Sequence, residues 1–259
     1  MSAGLGDLTG RAAVVTGAAS GIGLAVSEAF LAVGMRVLMT DRDEAHLAEE
    51  SGRLASLLSG LVSNGAGEVH ALVVDVTDPE SVERAAVAAV ERFGVLNVAV
   101  NNAGIVLGGN SWELSLDDWH RVIDVNLFGV IHGIHAFVPR IIASGEPGWI
   151  VNTASMAAVR AVPGIAPYTA TKHAVLGISD VMRKELEIAG APIGVSVVMP
   201  GGIRTAMNPI GEIPSAQVAA NVVDAIQRGR DYVFTDHHSA DEVAERLGRI
   251  IAARDDVIS

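Results

Sequence analysis

Val14-Val15-Thr16-Gly17-Ala18-Ala19-Ser20-Gly21-Ile22-Gly23 joins the apolar run Ala12 to Val15 to a segment in which Ile22, Val26, Phe30 and Val33 recur at three- and four-residue spacing. The run reads as a strand and the segment as a helix with one buried stripe, Gly34 serving as its C-cap. Arg36 to Thr40 is the next apolar run, so the glycines occupy the strand-to-helix turn of a β-α-β unit. Glycine lets the backbone turn sharply and approach a diphosphate, while the free N–H groups of a helix start attract phosphate. Glycine also collects in ordinary turns, and it is the strand before and the helix after that make Gly17, Ser20, Gly21, Ile22 and Gly23 a predicted dinucleotide site.

Outward from this unit the same alternation continues. Further strand candidates are Val69 to Val74, Leu96 to Val100, Trp149 to Asn152, Val195 to Met199 and Tyr232 to Phe234, which with the first two gives seven strands for one sheet. Apolar, β-branched strands alternating with helical periodicity predict an α/β fold, a parallel sheet with helices on both faces. A long helix is predicted from Trp119, Val122, Ile123, Leu127, Val130, Ile131 and Ile134, and another after Pro167, where proline suits a first helical turn. Ser51 to Gly67 is the least regular stretch and is assigned to a helix end and surface loop. No repeat or Pro/Gly/Ser-rich linker divides the chain, so residues 1–259 are read as one domain.

Composition narrows the function classes. Half of the 259 residues are apolar, enough for one large core. There is no cysteine, which removes disulfides, thiolate metal ligation and cysteine nucleophiles. Met1 to Asp7 lacks a basic and an apolar signal region, and no uninterrupted apolar run approaches the roughly 18 residues of a membrane span, so a cytoplasmic protein without membrane insertion is expected. The net charge of −12 repels polyphosphate backbones and argues against nucleic-acid binding. His132 and His135, and the pair His237-His238 beside Asp236, lack a convergent third ligand, so no metal is expected and these histidines are read as surface or subunit-contact residues.

Asp41 closes the second strand eighteen residues beyond Gly23. A carboxylate there can accept hydrogen bonds from both hydroxyls of an adenosine ribose and would repel a 2′-phosphate, which predicts NAD rather than NADP. Arg42 is either an adenine-stacking or phosphate-pairing cation or a solvated first-turn arginine.

The glycine loop, Asn101-Asn102-Ala103-Gly104 after the fourth strand, and Tyr168-Thr169-Ala170-Thr171-Lys172 together resemble the short-chain dehydrogenase/reductase family, over roughly residues 8 to 236. The resemblance implies a doubly wound Rossmann fold, an oxidoreductase, and a homodimer or homotetramer. It also implies that Asn102, Ala103 and Gly104 line the adenosine side of the cofactor, that Asp75 and Val76 flank the adenine, and that Pro200, Gly201, Ile203 and Thr205 wrap the nicotinamide end. Asn-Gly and Pro-Gly pairs mark ordinary turns as well.

Tyr168 and Lys172, four residues apart, share one helical face. A free phenol has a pKa of about 10, and lowering it by about 3 units needs roughly 4 kcal/mol of differential interaction, which a nearby ammonium can help supply. By themselves such residues are more often an exposed pair. Ser155, thirteen residues before Tyr168, matches the family's serine, whose hydroxyl would bind the substrate oxygen. Asn126 matches the family's fourth member, which holds a water that passes protons from Lys172 outward; a structural hydrogen bond to a neighbouring strand is the alternative. The expected reaction is hydride exchange between NAD and a small secondary alcohol or ketone. Competing readings are an NADPH-dependent 3-oxoacyl-thioester reductase and a non-catalytic NAD-binding regulatory protein, against which the Ser155, Tyr168 and Lys172 set argues. Met156-Ala157-Ala158 departs from the family's glycine after the serine, and the short run Met207 to Pro214 predicts a small or partly open lid over a pocket of Met156, Val106, Met207 and Ile210.

Overall fold

The structure is a computed structural model that describes residues 3–59, 67–205, 207–235 and 240–258. Its strands are β1 (Ala12–Thr16), β2 (Arg36–Asp41), β3 (Glu68–Val73), β4 (Val98–Asn101), β5 (Gly148–Thr153), β6 (Ile193–Met199), β7 (Ile203–Arg204), β8 (Ile213–Pro214) and β9 (Tyr232–Phe234). Seven of them form one sheet in the order β3-β2-β1-β4-β5-β6-β9, every neighbouring pair parallel. The helices are α1 (Gly21–Ala32), α2 (Glu44–Ser59), α3 (Pro79–Phe93), α4 (Leu116–Ile123), α5 (Gly129–Ser144), α6 (Ala166–Ile188), α7 (Ser215–Arg228) and α8 (Ala240–Ile258).

Parallel strands need crossover helices, and these cover both faces, so the central strands are buried on each side. Along β1, Ala13 and Val15 face the core under α1 and α7, while Ala12 and Val14 face the one under α3, α5 and α6. Each fully buried valine contributes about 1.5–3 kcal/mol against its ordering entropy. The strand order reverses between β1 and β4, and the carboxyl ends of those strands open a crevice, the ligand position expected of this topology.

Local chemistry sets the helix ends. Gly34 N–H bonds Leu31 O at 3.0 Å and Met35 N–H bonds Phe30 O at 3.0 Å, the paired pattern that stops α1 and turns the chain into β2. Pro167 lies in the first turn of α6, as its missing N–H allows.

The stretch from Ser51 holds the expected helix end, helical through Ser59 with Leu47 and Leu54 anchoring α2 to the core; residues 60–66 lie outside the described residues. One expectation needs correction. The single helix read over Trp119 to Ile134 is two helices joined by a π turn, Asp124–Phe128, a device that sequence periodicity cannot reveal. By length and composition the run Leu116–Ser144 could cross a membrane, yet Val122, Val130, Phe137 and Ile141 are buried inside the fold, and α4 and α5 pack on α6, α3 and β4.

Candidate active site

The crevice is a cleft of about 600 Å³. Its first wall is the glycine loop. Gly17 has φ +66° and Gly21 φ +57°, and a Cβ on Gly17 would lie 2.8 Å from Ala103 Cα, so the loop presses backbone against backbone where glycine alone fits. Ser20 is the extended N-cap of α1, yet its side chain makes no capping bond, leaving the helix's first N–H groups to the cleft. Gly23 does not line the cleft: its missing side chain makes room for Gly17 O, 2.1 Å from where a Cβ would stand. In this structure its role is packing, letting the Gly17 carbonyl and the Asn102 side chain come close to α1.

Asp41 ends β2 in the same wall, its carboxylate accepting from Ala19 N–H at 3.1 Å and Asp43 N–H at 3.0 Å. It thus ties the glycine loop to β2 while still facing the cleft. Arg42 lines the cleft with an exposed side chain, and Asp75 and Val76 follow β3 on the same side. Asp75 accepts from the N–H and the hydroxyl of Thr77, at 2.9 and 2.8 Å. Val76 O accepts from His132 Nδ1 at 2.8 Å, so the half-buried His132 braces this loop. His135 is exposed, as expected, whereas His237 and His238 lie outside the described residues.

Asn102 clamps three strand ends. Its N–H bonds Thr16 Oγ1 at 2.9 Å, its Nδ2 bonds Thr16 O at 3.0 Å, and its Oδ1 accepts from Thr153 Oγ1 at 3.3 Å. Asn102, Ala103 and Gly104 all line the cleft. A Cβ on Gly104 would lie 3.3 Å from Asn126 Oδ1 and 3.7 Å from Lys172 Nζ, which puts Gly104 beside the lysine. Pro200, Gly201, Ile203 and Thr205 form the opposite lip.

At the far end stand Ser155, Tyr168 and Lys172, all in the same cleft as Gly17. Ser155 caps the short 3-10 turn Met156–Ala158 through Ala157 N–H at 3.1 Å. Tyr168, on the first turn of α6, hydrogen-bonds the Ser155 hydroxyl. Burial pushes the phenol above its ordinary range, and that hydrogen bond partly opposes the shift. Lys172, one turn on, is buried, with Nζ donating to Thr153 O at 2.7 Å and lying 5.4 Å from the Tyr168 ring centre. Burial lowers its pKa from 10.5 to about 8. The protein's own groups therefore leave the phenol raised, where the spacing alone predicts a lowered one, because burial of Tyr168 outweighs the Ser155 hydrogen bond.

Asn126 is fully buried in the π turn and does not line the cleft. Its Oδ1 accepts from Ile105 N–H and its Nδ2 donates to Ile105 O, both at 2.8 Å, with Thr171 Oγ1 at 3.4 Å. These bonds fix the loop after β4 against α6; the partners are loop and helix groups, not the neighbouring strand of the alternative reading. Val106, Met156 and Met207 line the cleft, but Ile210 is 91% exposed and does not line it. The β7–β8 pair ties Ile213 and Pro214, the end of the run Met207 to Pro214, to Ile203 and Arg204.

The sequence model of the short chain dehydrogenases matches residues 11–211. The chain belongs to that family. It is an oxidoreductase of a family that binds a nicotinamide cofactor. The 1-deoxy-11-beta-hydroxypentalenate dehydrogenase of Streptomyces avermitilis is 39% identical over 250 residues, covering 92% of this chain and 89% of the relative. The structure of a short chain dehydrogenase/reductase from Burkholderia phymatum in complex with NAD superposes with a TM-score of 0.90 at 31% identity, over 95% of this chain and 96% of that one. The 3-ketoacyl-(acyl-carrier-protein) reductase of Brucella melitensis, complexed with NADH, gives 0.77 at 26% identity, over 88% and 98% of the two chains.

Sequence reading missed cleft residues that carry no motif, among them Thr153, Val162, Ile165, Asn208 and Arg160. For Arg160 a signal was present, a cation in an apolar stretch five residues after Ser155.

Proposed function

We propose that this chain is a cytoplasmic NAD-dependent dehydrogenase that interconverts a small secondary alcohol and its ketone, with Tyr168 as proton-transfer residue, Ser155 as substrate-oxygen ligand and Lys172 as their positively charged support. The observation that carries the reading is one cleft that holds Ser155, Tyr168 and Lys172 at one end and the glycine loop with Asp41 at the other.

The cradle suits a dinucleotide, since Gly17 and Gly21 leave backbone bare and α1 offers N–H groups and a positive dipole end for a diphosphate. Asp41 would take the adenosine ribose hydroxyls and disfavour a 2′-phosphate, which selects NAD over NADP. Bound there, NAD supplies the hydride acceptor or donor. Ser155 Oγ would hold the substrate oxygen, and Tyr168 would take its proton in oxidation and return it in reduction. Lys172 would position Tyr168 and favour the phenolate, with the positive nicotinamide ring adding the charge that the buried protein groups lack. The relative's name, a hydroxypentalenate dehydrogenase, supports a hydroxyl-bearing substrate.

A homodimer or homotetramer is proposed, supported by apolar side chains left exposed on α5 and α6, such as Ile142, Val181 and Ile188. The test is a panel of secondary alcohols and ketones, with acetoacetyl thioesters included, followed by NADH absorbance. Turnover with NAD on at least one alcohol, and NADH bound at least tenfold tighter than NADPH, is expected. Turnover on thioesters with NADPH alone would replace this reading.

A further inference from the structure

The two ends of the cleft differ in chemistry. Asp41, Arg42 and Asp75 make the glycine-loop end polar. Beyond Ser155 and Tyr168 the walls are Val106, Met156, Val162, Ile165 and Met207, a chamber suited to a hydrocarbon skeleton. Among the described residues lining this end, the charged ones are Lys172 and Arg160. Lys172 is committed to Thr153 O and the Tyr168 face.

Arg160 is set there by its neighbours. Its N–H bonds Met156 O at 3.2 Å, continuing the turn that Ser155 caps. The preceding carbonyl, Val159 O, accepts from Arg246 on α8 at 3.3 Å, and Val243 of α8 packs against the apolar cluster that includes Met156. The Arg160 guanidinium pairs with Glu242, at the start of α8, at 3.2 Å; the arginine side chain is 30% exposed and the glutamate 60%. Exposed pairs of this kind are weak and readily exchanged, and the guanidinium of a residue that lines an apolar chamber matches an incoming carboxylate in charge and in its planar two-point geometry.

We propose that Arg160 is a specificity-determining residue that binds a carboxylate carried on an otherwise apolar alcohol or ketone substrate, taking it in exchange for Glu242. The inference rests on the dehydrogenase reading and names the substrate class of that site.

Charge recognition can be tested without turnover, so its failure is distinguishable from failure of the enzyme assignment. Calorimetric titration of the protein, with and without NADH, compares adamantane-1-carboxylate, a rigid hydrocarbon acid, with adamantane-1-carboxamide, its neutral counterpart. The carboxylate should bind at least tenfold tighter. Arg160→Gln should bring the two within twofold of each other while the carboxamide affinity stays unchanged. Arg160→Lys, which keeps the charge and covers the case of a misfolded glutamine variant, should retain a preference of threefold or more. Glu242→Gln should tighten the carboxylate, and no gain would overturn the exchange. A carboxylate that fails to bind the wild type, binds no better than the amide, or keeps its preference in Arg160→Gln overturns the proposal.

Discussion

The Lys172 ammonium nitrogen stands 5.4 Å from the centre of the Tyr168 ring and donates a 2.7 Å hydrogen bond to the carbonyl oxygen of Thr153. This places a cation where water is excluded, at a cost to the folded state. Its pKa falls from 10.5 to about 8, a difference worth roughly 3 kcal/mol. The unfolded chain binds the proton more tightly, so the penalty is complete below about pH 8 and is relieved as pH rises toward 10.5.

Lys172→Met is therefore expected to stabilise the protein while abolishing turnover. Allowing about 1 kcal/mol for the lost bond to Thr153 O, the gain at pH 7 should be about 2 kcal/mol in chemical denaturation, and it should vanish by pH 10.5. A loss of stability at pH 7 would show that the ammonium is well solvated.

Both tyrosines of the chain, Tyr168 and Tyr232, are raised above the ordinary phenol value, the first by burial and the second by its hydrogen bond to Asp180. Ultraviolet titration should thus show less than half of the tyrosinate signal at about pH 10. A raised phenol stabilises the fold below its unfolded pKa, and that contribution is lost as pH climbs through the folded value. Ser155→Ala removes the one hydrogen bond that lowers Tyr168 and should delay its titration further.

Two glycines predict opposite signs. Gly23→Ala would drive a Cβ to within 2.1 Å of Gly17 O and 2.6 Å of Asn102 Nδ2, both fixed parts of the cleft. It should cost about 1–3 kcal/mol in denaturation and weaken NADH binding. Gly52→Ala, on the exposed side of α2 with nothing within 4 Å, should stabilise by about 0.5–1 kcal/mol.

The strands were legible because a parallel sheet covered on both faces demands apolar runs, and all seven expected strands fall in the main sheet with small shifts at their ends. Tyr168 and Lys172 were legible because helical spacing puts them on one face, and Pro167 marks where that helix starts. The role of Gly23 was not, since a glycine that touches ligand and one that lets two backbones pack look identical in sequence. Nor was the π turn, because the apolar stripe runs on through Asp124–Phe128 whichever hydrogen-bond pattern the backbone adopts. Two-residue strands such as β7 and β8 carry no periodicity to read. Helix α8 did carry one, in Val243, Leu247, Ile250 and Ile251, though most of that stripe is exposed and packs on little of the fold.

The central claim is that one phenol moves the substrate's proton, and steady-state kinetics of Tyr168→Phe on the best alcohol of the panel tests it most directly. The substitution removes only a hydroxyl, so NADH affinity should stay within about threefold of wild type while kcat/KM falls by about 10²–10⁴. A variant that binds NADH normally and turns over within about tenfold of wild type would contradict the claim, because so small a loss falls short of what removing a general acid–base produces.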